Sequence, residues 1–197
     1  MINTNMNQPV LGLYIHIPFC NQICSYCDFY KLVNLKYKKS FVLALCNDIK
    51  SHSHEFSHIE TLYFGGGTPS ILNKEEWLSI INALNESGLN FNQLKEFSIE
   101  ANPNDINEDY VALLAEIGVT RVSLGIQSLD STKLKLMNRS HTVEQALNAI
   151  RLLKNKNIHV NTDLIYGFGN DTFKALSSDL DECILAGTDS FSLYTLI

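Results

Sequence analysis

A repeated alternation of short β-rich runs and helical patterns constrains the fold of this chain most strongly. Six short runs are rich in β-branched, aromatic and other apolar residues, and segments with helical periodicity separate them. The predicted strands are Leu11–Ile17, Ile59–Phe64, Leu94–Glu100, Arg121–Leu124, Ile158–Ile165 and Asp189–Leu196. Strands that alternate with helices pair in parallel through right-handed crossovers. The chain is therefore predicted to be an α/β protein with a parallel sheet.

Six strand–helix units leave two architectures open. They are too few to close an ordinary eight-stranded barrel, so we expect either an open partial (β/α)6 barrel or an open doubly wound sheet. The run Asp189–Leu196 has no helix after it and would leave an unprotected sheet edge. Residues 1–197 are therefore expected to form one domain, a fragment truncated at its C-terminus.

Three cysteines with a C-x₃-C-x₂-C spacing follow the first predicted strand. Cys20, Cys24 and Cys27 could hold one corner of an inorganic cluster, one thiolate short of a fully ligated site. Cys46 and Cys183 are predicted to be packed core residues. The motif predicts a four-iron cluster with one iron open to a small molecule. A zinc site with a distant fourth ligand and a surface disulfide are the alternatives, and the missing secretory signal disfavours the disulfide.

Composition and charge narrow the class of protein. Apolar residues make up 45% of the chain, and the net charge is −6. Lys and Arg form no continuous stripe, so nucleic acid is not expected as a partner. No apolar run approaches the roughly 20 residues of a membrane span, and the N-terminal stretch MINTNMNQPV is polar. A cytoplasmic location is the expectation.

Polar and glycine-rich clusters follow the predicted strands, where the active groups of parallel α/β folds collect. Gly65–Pro69 could bring backbone groups close to a ligand, and it lacks the Gly-Lys-Ser/Thr of a P-loop. Glu100, Gln127 and Asp163 lie at or near the ends of the next three strands. Arg139, between two helices, could bind a carboxylate bidentately. Ordinary solvated or ion-paired side chains are the alternative at each position.

These motifs together resemble those of a known family. The cysteine spacing is the signature of radical S-adenosylmethionine (SAM) proteins. The wider set, which spans about 150 residues, resembles the oxygen-independent coproporphyrinogen III oxidase family within them. The motifs are YIHIPFC from Tyr14, FGGGTPS from Phe64, IEANP from Ile99, SLGIQS from Ser123, LMNRSH from Leu136 and TDLIYG from Thr162.

The resemblance implies an incomplete (β/α)6 barrel with a 4Fe–4S cluster held by Cys20, Cys24 and Cys27. In the family, SAM chelates the open iron, and the reduced cluster cleaves SAM to methionine and a 5′-deoxyadenosyl radical. The resemblance also implies a backbone contact to the adenosine end of SAM at Ile197. The implied SAM-contacting residues are Tyr14, which would pack at the cluster, and Gly66, Gly67, Thr68, Glu100, Gln127, Arg139 and Asp163.

Two branches of the family differ near the cluster. The oxidases carry a fourth cysteine two residues after the third, and a longer segment before the cluster. Here Phe29 occupies that position, and 19 residues precede Cys20. Both departures favour a resemblance to the HemW-type heme chaperones. This resemblance implies that the protein binds heme and passes it to an acceptor. Radical-driven oxidative decarboxylation of coproporphyrinogen III is the enzymatic alternative, and a zinc-binding structural domain is the third hypothesis.

The resemblance also implies partners. Heme or a porphyrinogen is the expected ligand besides SAM, and a flavodoxin- or ferredoxin-type protein is the expected electron donor. The identity of a heme-accepting protein and a peripheral membrane contact are left open. The family's C-terminal domain, which is expected to carry heme or substrate contacts, lies outside residues 1–197.

Overall fold

A computed structural model describes residues 11–53, 56, 58–169 and 171–196 and shows six strands, each separated from the next by one or two α-helices. The elements are β1 (Leu11–Ile17), α1 (Lys38–Ser51), β2 (Ile59–Gly66), α2 (Lys74–Glu86), β3 (Glu96–Ala101), α3 (Glu108–Glu116), β4 (Arg121–Gln127), α4 (Ser131–Leu136), α5 (Val143–Lys154), β5 (His159–Tyr166), α6 (Phe173–Ala186) and β6 (Ser190–Thr195).

The strands form one open parallel sheet in the order β1-β2-β3-β4-β5-β6. A doubly wound sheet would reverse its strand order at a switch point, and the described strands show no reversal. With right-handed crossovers, a sheet that grows in one direction carries all its helices on one face. The predicted open partial (β/α)6 barrel is therefore confirmed, and the doubly wound alternative is wrong.

Side chains alternate between the two faces of the sheet. Fully buried apolar residues face the helices, and Phe64 on β2 packs against Trp77 on α2 with ring centroids 4.9 Å apart. The opposite, concave face is polar. It carries Tyr63, Ser98, Glu100, Ser123, Asn161 and Asp163.

The strand boundaries lie within two residues of the predicted ones, except at the end of β4. β1 has the predicted limits. β3 begins at Glu96 rather than Leu94, because a 3-10 turn over Phe91–Gln93 precedes it. β4 continues to Gln127, beyond the predicted end at Leu124, because it passes through a bulge that keeps it paired with β5.

No helix in the described part of the chain combines the length and apolar character needed to cross a bilayer.

Candidate functional site

The carboxyl ends of the strands open into a cavity of about 630 Å³. Ten of the eleven predicted site residues line this cavity, although they come from six separate stretches of sequence. They are Cys20, Cys24, Cys27, Gly66, Gly67, Thr68, Glu100, Gln127, Arg139 and Asp163.

Tyr14 is the predicted site residue that does not line the cavity. Its ring is 55% exposed and stacks on Tyr63 with centroids 5.9 Å apart. Its hydroxyl forms a hydrogen bond of 3.0 Å with His16 Nδ1. A contact of Tyr14 with the cluster stays a prediction, and Ile197 lies outside the described residues.

The cysteine loop carries its thiols against the cavity wall. Cys20 is buried, and Thr68 Oγ1 donates to its sulfur over 3.2 Å. Burial raises the pKa of the Cys20 thiol, and the hydrogen bond from Thr68 acts in the opposite direction. Arg139 Nη1 donates to Cys24 Sγ over 3.3 Å, and Lys31 Nζ donates to the Cys27 carbonyl over 2.5 Å. Two fixed positive charges therefore flank the thiols.

The turn after α4 supports the cysteine loop from outside the cavity. Ser25 donates from its backbone N–H to Met137 O over 3.1 Å, and from its hydroxyl to Leu136 O over 3.0 Å. Asn138 Nδ2 donates to Ile23 O over 2.6 Å. These contacts join segments more than 100 residues apart, so the loop conformation does not depend on local sequence alone.

Two glycines let the turn after β2 reach the start of the cysteine loop. Gly67 N–H donates to Ile17 O over 2.9 Å, and a Cβ on Gly67 would lie 2.7 Å from Phe19 O. Gly66 has a φ of 112°, and a Cβ there would lie 2.3 Å from the His16 ring. A side chain at either position would push the two segments apart.

The carboxylate of Glu100 is fixed in position at the cavity wall. Its Oε1 accepts from Tyr63 O–H over 2.9 Å, and its Oε2 accepts from Gly66 N–H over 3.1 Å. A carboxylate has about four acceptor positions, so two remain for an ammonium or hydroxyl donor on a ligand.

The guanidinium of Arg139 joins three parts of the cavity wall. Its Nη2 donates to Asn102 Oδ1 and to Gly125 O, each over 2.6 Å, while Nη1 reaches Cys24 Sγ and, at 3.4 Å, the Tyr26 hydroxyl. Nε is buried and has no hydrogen-bond partner among the described residues. The bidentate carboxylate contact expected from the sequence would displace bonds that the protein already makes.

Asp163 is a buried carboxyl on the concave face. Ser123 Oγ donates to Asp163 Oδ1 over 3.0 Å, and Asn161 Nδ2 donates to the same oxygen over 2.8 Å. Burial is the main reason why the pKa of Asp163 rises to about 6, and the charge of Glu100 acts in the same direction.

Sequence reasoning missed several residues of the cavity wall. Tyr26, Asn102 and Ser123 all line it. Asn102 could have been found because it directly follows β3, at the rim where the ligand groups collect. The roles of Tyr26 and Ser123 depend on contacts with Arg139 and Asp163, which no local pattern indicates.

A family comparison decides the class of this site. The model of the radical SAM superfamily matches residues 14–183. The chain belongs to the radical SAM superfamily. Membership implies a 4Fe–4S cluster and SAM, and three thiols beside a cavity that also carries charged and hydrogen-bonding groups fit such a pair. Within the described ranges, no three His, Cys, Asp or Glu side chains, the three thiols included, lie close enough to hold a single metal ion.

Curated relatives of this chain include proteins of two kinds. The heme chaperone HemW of Lactococcus lactis is 34% identical over 194 residues, which cover 98% of this chain and 50% of the relative. An oxygen-independent coproporphyrinogen III oxidase of Pseudomonas aeruginosa is 34% identical over 194 residues, 93% of this chain and 42% of the relative.

This chain is also similar to a solved structure. The coproporphyrinogen III oxidase HemN of Escherichia coli, a radical SAM enzyme, superposes with a TM-score of 0.86 at 29% identity. The match covers 95% of this chain and 44% of the oxidase. The chain spans about half the length of the curated relatives it matches.

The raised pKa of Asp163 predicts a pH-dependent stability. The folded chain binds this proton more tightly (pKa about 6) than the unfolded chain does (near 3.8). The free energy of unfolding from this group therefore decreases as the pH rises between these values. Asp163→Asn lacks the contribution, so the stability of the wild type relative to the variant should decrease across this window and level off above it. Urea titrations of the metal-free protein measure it, and a pH-independent difference would contradict the assignment.

Proposed function

We propose that this chain is the radical SAM core of a HemW-type heme chaperone, which binds heme and passes it to an acceptor protein. The observation that carries this proposal is Phe29, which lies at the cavity and is 74% exposed. In the oxidase branch that the sequence resembles, a fourth cysteine occupies this position, and phenylalanine provides no thiol there. HemW proteins from several bacteria, 29–34% identical to this chain, support the same branch.

The proposed cluster ligands are Cys20, Cys24 and Cys27, and SAM occupies the cavity beside them. When bound, the reduced cluster supplies the electron that cleaves SAM. Each SAM-contacting residue has a distinct task in this proposal. Glu100 accepts hydrogen bonds from an ammonium or ribose hydroxyl, while Arg139 supplies the positive charge that attracts the SAM carboxylate.

The remaining assigned residues complete the SAM site. Backbone groups of Gly66, Gly67 and Thr68 lie close enough to the cysteine loop to contact the methionine part of SAM. Gln127 and Asp163 offer polar groups on the side of β4 and β5. Tyr14 keeps its proposed place near the cluster.

The proposal includes the location, the partners and the domain organisation of the protein. We place the protein in the cytoplasm, with a flavodoxin- or ferredoxin-type electron donor and a heme acceptor of unknown identity. Residues 1–197 would form the radical SAM core domain of a longer protein. The length of the relatives supports this division, because the matches cover only about half of each of them.

The second candidate function is that of an oxygen-independent coproporphyrinogen III oxidase. The observations in its favour are 34% identity to the Pseudomonas aeruginosa enzyme and the close superposition on HemN. Both functions require the same cluster and SAM site, so only heme and porphyrinogen chemistry separates them.

Replacing a proposed cluster ligand should remove the cluster. Cys24→Ala leaves two thiolates, and we expect iron and sulfide to fall far below four per chain after anaerobic reconstitution. Cys46→Ala removes a half-buried thiol on α1, outside the cavity, and should retain the full complement. Iron analysis and electron paramagnetic resonance of the reduced proteins measure this. A full four-iron spectrum from Cys24→Ala would refute the ligand assignment.

Neutralising Glu100 should weaken SAM binding without loss of the cluster. Glu100→Gln removes a charged acceptor, and we expect the dissociation constant of SAM to rise about tenfold to a hundredfold, from roughly 1.5–3 kcal/mol. Glu96→Gln is the matched control, because Glu96 lies on the same face of β3 and bonds Ser98 away from the cavity. Calorimetric titration of the reconstituted proteins decides it, and equal affinities in both variants would contradict the role.

The two functions make opposite predictions for the reduced, full-length protein. With SAM and coproporphyrinogen III, we expect an intact cluster and bound SAM but no protoporphyrinogen by chromatography. Titration with heme should then give stoichiometric binding. Formation of protoporphyrinogen, with two SAM consumed per product, would establish the oxidase, and failure to bind heme would refute the chaperone.

A further inference from the structure

The backbone leaves regular strand geometry at the end of β4. Its pairing with β5 shifts by one residue between Gly125 and Gln127. Gln127 has a φ of 71°, a left-handed conformation that residues other than glycine rarely adopt. Such a conformation persists only where the surroundings hold it, and it often marks a functional site. Here it accompanies a glutamine side chain that lines the cavity.

The bulge is held by side chains from one neighbouring segment. His141 Nε2 lies 3.1 Å from the carbonyl oxygen of Ile126, the bulged residue. Arg139 Nη2 donates to the preceding carbonyl, that of Gly125, over 2.6 Å. Both carbonyls before Gln127 therefore bind side chains of the connection between α4 and α5.

This connection is itself fixed at both ends. Asn138, with a φ of 54°, lies just after the end of α4. Thr142 and Gln145 form a reciprocal capping box that begins α5. His141 immediately precedes that cap, so its backbone has little freedom to follow a moving strand.

The hydrogen bond also fixes the form of the imidazole. A carbonyl oxygen only accepts, so His141 Nε2 carries the hydrogen. Nδ1 is buried without a hydrogen-bond partner among the described residues, and the side chain is 4% exposed. Burial and the adjacent charge of Arg139 lower the pKa of His141 to about 3. His141 is therefore a neutral donor, and an imidazole used only to fill space would not need its polar edge aimed at a bulge.

We propose that His141 is a positioning residue for SAM binding, which holds the Ile126 carbonyl and thereby the strained backbone that presents Gln127 to the cavity. This inference rests on the proposed SAM contact of Gln127. His141 itself does not line the cavity, so its effect on the ligand passes through β4.

Two substitutions separate the hydrogen bond from the volume of the ring. His141→Leu keeps apolar bulk and removes the donor, while His141→Gln retains an N–H at about the reach of Nε2. In the anaerobically reconstituted protein, we expect the dissociation constant of SAM to rise about fivefold to tenfold in the Leu variant, as for one lost hydrogen bond. The Gln variant should stay within about twofold of the wild type, and both should keep four irons per chain.

A double-mutant cycle tests the route of the effect. If His141 acts through Gln127, His141→Leu should weaken SAM binding no further in a Gln127→Ala background. An equal loss in both backgrounds, or unchanged SAM affinity in His141→Leu, would overturn the inference. If the Leu variant does not fold, His141→Asn, whose amide falls short of the carbonyl, replaces it with the same expectation. Failure of the wild type to bind SAM would instead refute the proposed function.

Discussion

The order of the strands is the constraint on which the rest of the structure depends. Because each strand pairs with its neighbour in sequence, the crossovers all lie on one face of the sheet, and that face is buried and apolar. None of the helices in the described part of the chain covers the other face, which can therefore carry polar side chains. The carboxyl ends of the strands then meet at the same rim, which brings together residues as far apart in sequence as Cys20 and Leu196.

Within that rim, Arg139 is the central electrostatic element. It reaches the ends of β3 and β4 and one thiol of the cysteine loop, so three segments share one positive charge. The carboxylates of Glu100 and Asp163 lie across the same cavity. A ligand such as SAM, which carries both positive and negative groups, therefore meets fixed groups of both signs.

Much of this could be predicted from the sequence, because the relevant signals are local. The pattern of apolar residues predicted the limits of β1. The tendency of active groups to lie at the carboxyl ends of parallel strands predicted that Glu100, Gln127 and Asp163 would lie close together. The bulge in β4, the position of Tyr14 and the bonds already made by Arg139 could not be predicted. These features depend on contacts between distant segments, whose geometry no short window of residues encodes.

The hydrogen bonds between the cysteine loop and the turn after α4 bear on how a cluster is acquired. A loop with three free thiols would lose conformational entropy when it wraps an inorganic core. Here Ser25 and Asn138 already restrict that loop through protein–protein contacts. In the proposed cluster site, much of that ordering is therefore achieved when the polypeptide folds, before the cluster binds. The proposal thus ties affinity for the cluster to the stability of a turn more than 100 residues away in sequence.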